Sequence, residues 1–171
     1  MMRNILAISI AFAAGLAVAG LSARAEDDDN PAALAKALSE ASVSLDQGLN
    51  ASESEGKPIS GKFEVNDDAL QLSVYTMKGD QFAEVLIDHK SGSIKKSEPI
   101  TEGDDLKEAR EQGEAMAKAN LPLAAAVASA VKANNGSRAV SAVPMLDGGQ
   151  PVASVTLINE GEVKKVTEKL D

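Results

Sequence analysis

LQLSVYTMKGDQFAEVLI, residues Leu70 to Ile87, is the stretch on which the reading of the fold turns. Leu70, Leu72 and Val74 alternate with Gln71, Ser73 and Tyr75, the period-two pattern of a strand with one buried face. Gly79-Asp80 suits a two-residue type II′ turn, which wants Gly first. That turn sets a register: Met77 opposite Phe82, Val74 opposite Val85, Leu72 opposite Ile87. The core face is then Leu70, Leu72, Val74, Ala83, Val85 and Ile87. Tyr75, Met77, Phe82 and Leu86 fall on the other face. Alternation and turn chemistry agree, as they do in a sequence that specifies its structure locally.

Upstream, Asn30-Pro31 reads as an N-cap followed by Pro at the first helical position. Leu34, Ala37, Leu38, Ala41 and Leu45 follow at helical spacing, with a weak point at Ser42-Val43-Ser44. Gly56-Lys57-Pro58 ends the helical region, and Ile59 to Val65 is a short strand. Downstream, Thr101 to Gln112 is charged and reads as a linker running into a helix. Ala109, Met116, Ala117 and Leu121 give that helix an apolar side. LAAAVASAV is a second helix, of small residues. Asn134-Asn135-Gly136 stops it. Strands follow over Ala139 to Leu146, Val152 to Ile158 and Val163 to Val166, separated by Asp147-Gly148-Gly149 and Asn159-Glu160-Gly161.

Helix, helix, strand, strand, strand therefore occurs twice. At an offset of 78, Leu38, Leu45, Gly48 and Leu49 fall on Met116, Leu123, Ala126 and Val127. At 81, Ser73 to Val85 falls on Ser154 to Val166. A rival register pairs LIDHKSGSIKK (Leu86 to Lys96) with LINEGEVKK (Leu157 to Lys165); the longer match keeps the whole element order and is preferred. The expected fold is α+β, two tandem repeats. Each would pack helices on one face of a small antiparallel three-stranded sheet.

Residues 1–25 read as a secretory leader: Arg3, an apolar run from Ile5 to Leu21, and Ala23-Arg24-Ala25 as the cleavage signal before Glu26. The expected units are a leader over 1–25, an acidic disordered stretch over 26–30, a first unit over 31–100, a charged linker over 101–112 and a second unit over 113–171. Cleavage between Ala25 and Glu26 would take Arg3 and Arg24 away and move the net charge from −9 to −11. So acidic a chain repels phosphate backbones, which argues against nucleic acid. No Cys is present, so packing alone holds the fold. Leu121 to Val131 is apolar but too short to span a bilayer, so no membrane insertion is expected after cleavage. Phe63, Tyr75 and Phe82 are the only aromatic residues beyond the leader. That argues against a sugar cleft or a platform for stacking bases. The expected compartment is the bacterial periplasm.

VSLDQGLNASESEGKPISGKFEV followed by LQLSVYTMKGDQFAEVLIDHKSGSI resembles a PepSY domain. In that family a helix precedes three strands, and the last strand ends in an Asp, variable residues and a Gly turn, here Asp88 to Gly92. LPLAAAVASAVKANNGSRAVSAVPMLDGGQPVASVTLINEGEVKKV is similar to a second, shorter copy without that turn. Gly48 stands where the family's helix usually has Ala. The family includes inhibitory propeptide segments of secreted metallopeptidases. The resemblance implies a binding or inhibitory module and carries over no catalytic residue.

The residues themselves point to little chemistry. His89, the only His, stands in a turn between Asp88 and Lys90; one His without Cys does not make a structural zinc site. No G-x-S-x-G elbow accompanies it. Asp27-Asp28-Asp29 and Asn66-Asp67-Asp68 lack the spacing of a calcium loop. No cofactor is expected and no enzyme. Tyr75, Met77, Phe82 and Leu86 are the candidate binding residues, as a docking face for another protein, and Asp88 and Gly92 the structural turn. The expected function is a non-catalytic protein-binding module, an inhibitor or chaperone of an exported peptidase. The alternative is an envelope sensor or accessory protein that binds a small ligand or a signalling partner.

Overall fold

The structure, a computed structural model, describes residues 31–66 and 69–171. The expected leader over 1–25, its Ala25-Glu26 junction, the acidic stretch 26–30 and Asp67-Asp68 lie outside the described residues.

Two short helices open the fold, α1 (Pro31–Leu38) and α2 (Leu45–Ser52). The weak point between them is a real break. There the Ser42 and Val43 N–H groups donate to the His89 carbonyl at 3.0 and 3.1 Å. Ser44 then starts α2 from extended backbone, its N–H held by Gln47 Oε1 at 2.9 Å, half of a capping box. Four strands follow, β1 (Lys57–Asn66), β2 (Ala69–Lys78), β3 (Gln81–Ile87) and β4 (Ile94–Ile100). Helices α3 (Gly103–Lys118) and α4 (Leu123–Ala133) lead to β5 (Arg138–Asp147), β6 (Gln150–Asn159) and β7 (Glu162–Lys169). β2 meets β3 with Met77 opposite Phe82, Val74 opposite Val85 and Leu72 opposite Ile87, the register that the Gly79-Asp80 turn dictates.

The expected pair of tandem three-stranded units, each with its own helices, is overturned. Among the described residues, one antiparallel sheet of seven strands runs in the order β4-β3-β2-β1-β5-β6-β7. The two halves of the chain join at its middle, where β1 pairs with β5 through Gly61 opposite Ala142 and Lys62 opposite Ser141. Two separate sheets would each leave a bare edge of N–H and C=O groups; pairing the edges satisfies them. The offset of 81 recurs in these registers. Gly61–Val74–Val85 corresponds to Ala142–Val155–Val166. The register shift at Pro58/Ser60 corresponds to that at Ala139/Ser141. Gly61 therefore pairs with its own counterpart.

A fourth strand in the first half also departs from expectation. IKKSEPI lacks alternation, and Lys95, Lys96 and Pro99 hide it from a pattern search. Those are residues of an edge strand, where Lys and Pro discourage further pairing. β4 closes one edge of the sheet and the charged β7 (EVKKVTEK) closes the other.

The helices are not confined to one face. α2 packs on the face that carries Leu72 and Val74: a Cβ built on Gly48 would lie 2.6 Å from Leu72 Cδ2. α4 lies beside α2 and spans β5, β6 and β7. Leu45, Leu49, Leu72, Val74, Val85, Leu123, Val127, Val155 and Leu157 are buried in this core. α3 takes the opposite face. Its Gly113 sits over Met77 and Phe82, 3.0 Å from Met77 Sδ and 3.2 Å from Phe82 Cε1 by the same construction. Residues 103–112, expected within a linker, are the first part of this helix.

Two cations clasp the halves reciprocally. The Arg138 guanidinium donates to the carbonyl of Leu38, the last residue of α1, and reaches those of Ala41 and Val43 at 3.4 Å. The Lys57 ammonium donates to the carbonyl of Met116, near the end of α3. Lys57 and Arg138 are 81 apart, Leu38 and Met116 are 78 apart. Each cation sits where a helix C-terminus leaves carbonyls unpaired and partially negative.

Candidate functional site

The α3 side of the sheet holds the candidate site. Three of the four residues expected as a docking face are brought together there, beneath the helix. Phe82 is only 8 % exposed and belongs to the core, and Met77 packs against that core. Tyr75 is half-buried beside the Asp105 carboxylate. Burial first, then the negative charges of Asp105, Glu84 and Glu108, push the Tyr75 pKa well above the ordinary tyrosine value, so the phenol stays protonated. Leu86 stands apart, half-buried, between Ser73 on β2 and Lys96 on β4. Asp88 and Gly92 form the turn that sequence reasoning gives them. Asp88 Oδ1 accepts the Ser91 and Lys90 N–H groups at 2.8 and 2.9 Å, and Gly92 adopts φ +77°, a conformation that Gly reaches without strain. The Ser91 and Lys90 N–H groups, with Lys95 at 3.2 Å, hold the Asp88 carboxyl well below the usual range. His89 braces the α1–α2 break through its carbonyl, and its Nδ1 is buried without a partner.

Beside α3, two of the open grooves adjoin each other. The first, of about 270 Å³, is polar. The Ser60, Ser73 and Ser141 side chains and Tyr75 line it from the sheet, with Glu64 and Glu84; Asp105, Glu108 and Gln112 line it from the helix. Four acids face one base, Lys62, which pairs with Glu64 at 3.4 Å. Gln71 Nε2 also donates to Glu64, at 3.2 Å. Gln112 is 8 % exposed, and its Oε1 is buried with no hydrogen-bond partner. Buried carbonyl oxygens are rarely left so, because the lost hydration is not replaced.

The second groove, of about 390 Å³, adjoins the first across Glu108 and Gln112. Its floor is the end of β5: Val143, Pro144, Met145 and Leu146. Its rim on α3 is Glu108, Glu111 and Glu114, all exposed. Met145, on the same side of β5 as Ser141 and Val143, is 46 % exposed; Leu146, the next residue of the strand, points to the other face and is 37 % exposed.

Sequence reasoning missed Glu84, Asp105, Glu108, Gln112, Met145 and Leu146 as site residues. Asp105, Glu108 and Gln112 stand at i, i+3 and i+7, one face of a helix, so their grouping is legible once α3 is known to start at Gly103. Which surface that face covers is not a local property. Among the described residues no group of three or more His, Asp or Glu side chains is arranged to hold a metal ion. No described helix is long and apolar enough to cross a membrane. Compared with protein-family models, with curated proteins and with solved structures, the chain finds no match, and the PepSY resemblance therefore rests on the quoted residues alone.

Proposed function

We propose that the protein is a non-catalytic binding module of the bacterial periplasm, exported by its leader, which engages a partner protein along α3. The observation that carries this reading is the apolar floor of Val143 and Met145 beside the acidic rim of Glu108, Glu111 and Glu114. An apolar strip flanked by carboxylates suits an extended segment with apolar side chains and a basic flank. The PepSY resemblance supports an exported peptidase as the partner class, held as by an inhibitor or a chaperone. Strand addition at the sheet edges is the less suitable route, since β4 and β7 both carry paired lysines.

The test offers the immobilised protein to purified exported peptidases of its own organism and follows co-elution and peptidase rate. Met145→Glu is run in parallel. Binding by the native protein, lost in the variant at unchanged melting temperature, supports the reading. No complex with any peptidase, or capture that the variant leaves intact, refutes it.

A further inference from the structure

We propose that Asn135 is a site of spontaneous covalent modification: its side-chain amide is displaced by the Gly136 nitrogen, leaving aspartate and isoaspartate just beyond α4. Asn135-Gly136 is the only Asn-Gly pair in the chain, and every other Asn is followed by a residue that carries a side chain. Both residues are exposed, at the centre of a turn closed by one hydrogen bond, from the Ser137 N–H to the Asn134 carbonyl at 3.1 Å. Gly136 stands at φ +83°, in the position that a type II turn keeps for Gly. Among the described residues, neither the Asn135 side-chain amide nor the Gly136 N–H has a hydrogen-bond partner. Neighbouring asparagines are held better. Asn134 donates to the Ala130 carbonyl at 2.8 Å and accepts from the Lys164 ammonium at 2.6 Å. Asn50 lies within α2, and the N–H that follows Asn120 is fixed by the Leu170 carbonyl at 3.0 Å.

The reaction balances with water alone. The Gly136 nitrogen gives its proton to solvent and bonds to Asn135 Cγ; the Cγ–Nδ2 bond breaks, and Nδ2 takes a proton and leaves as ammonia. Water then opens the resulting succinimide. Attack at Cγ gives aspartate on the original main chain. Attack at the main-chain carbonyl gives isoaspartate, whose main chain runs through Cβ and is longer by a methylene. Closing the ring takes rotation about the Asn135 torsions. One turn hydrogen bond opposes that rotation, and Gly136 brings no Cβ against the closing ring. The new carboxylate falls beside the C-terminus of α4, where the last carbonyls are already partially negative, so conversion loosens the last turn of that helix.

The folded protein is held in warm, mildly alkaline buffer; acidic species are separated by ion exchange and located by peptide mapping. Each conversion adds one negative charge to the chain's −9. Asn135 should convert before any other Asn, to a mixture in which an Asp-specific endopeptidase cuts the aspartate form and spares the isoaspartate form. Asn135→Gln closes a larger ring more slowly and should lose the early acidic species; the position is exposed and outside every helix and strand, so the melting temperature should hold. Gly136→Ala should slow conversion severalfold, since Cβ crowds the attacking nitrogen. The isolated acidic species should exchange amides faster in the last turn of α4. An acidic species that arises first at another Asn, or that Asn135→Gln leaves in place, overturns the assignment. So does a folded chain that keeps its Asn135 amide while the same chain in urea converts, because the turn would then protect the pair.

Discussion

Gly48→Ala tests the packing of α2 on the sheet more sharply than any other single change. In a helix interior Ala is about 1 kcal/mol better than Gly, so helix propensity alone predicts stabilisation. The new Cβ, however, would lie 2.6 Å from Leu72 Cδ2 and 3.3 Å from its Cγ. Leu72 is fully buried and has no solvent to swing into. Overpacking of this kind costs about 1–3 kcal/mol. The net expectation is a loss of about 0–2 kcal/mol. Leu72→Ala alone should cost about 2–5 kcal/mol through the cavity it leaves. With Leu72 already cut back, the clash is gone and Gly48→Ala should stabilise by about 1 kcal/mol. The sign of the Gly48 effect therefore reverses between backgrounds, a coupling of about 1–3 kcal/mol. The second half of the chain carries Ala126 and Ala153 at the corresponding offsets, the combination that the double variant would create. Urea unfolding of the four proteins measures the cycle. If Gly48→Ala stabilises the native background, or has the same effect in both, the close approach of α2 to β2 is wrong.

Phe82→Ala should destabilise by about 3 kcal/mol or more, because the ring is core beneath α3 and not surface; a melt within a degree or two of the native protein would contradict that placement. Arg138→Met should cost about 1–3 kcal/mol, since it strips the charged donor from three carbonyls at the α1–α2 break; amide exchange should then quicken first in α1. Asp88→Asn tests the turn through pH. The folded carboxyl titrates below its unfolded value, so its stabilisation is present above about pH 4 and is lost as pH falls toward the folded value. The stability gap between the native protein and the Asp88→Asn variant should thus be open at neutral pH and close in acid; a gap independent of pH would remove the charge from the argument.

What was legible in the sequence was what neighbours in sequence decide. The β2–β3 register follows from two turn residues and an alternation. The break between α1 and α2 follows from Ser and a β-branched residue. The Asp88 turn follows from a short carboxylate and a Gly. β4 was not legible, because an edge strand is selected against looking like a strand: Lys95, Lys96 and Pro99 protect it by the features that conceal it. The single sheet was not legible either. Gly61 and Ala142 carry no mark that says they will face each other across β1 and β5, since backbone pairing leaves little trace in side chains. The same limit explains the site. Tyr75, Met77 and Phe82 were correctly placed on the face away from α2, but nothing local says that a charged segment starting at Gly103 will fold back over them. Once it does, the apolar members become core, and the acids and Gln112 on the helix become the walls of a groove.

The β1–β5 junction also changes what kind of equilibrium the fold obeys. Each half donates an inner strand to the other and receives a cation at the end of its first helix, in the manner of a symmetric dimer. Here both partners are written on one chain, so meeting costs a loop closure and not a collision. Closing this junction is accordingly independent of protein concentration. Cut between β4 and α3, the same surfaces would assemble only by mass action, and a half made alone would carry an uncovered inner strand able to pair with the wrong neighbour.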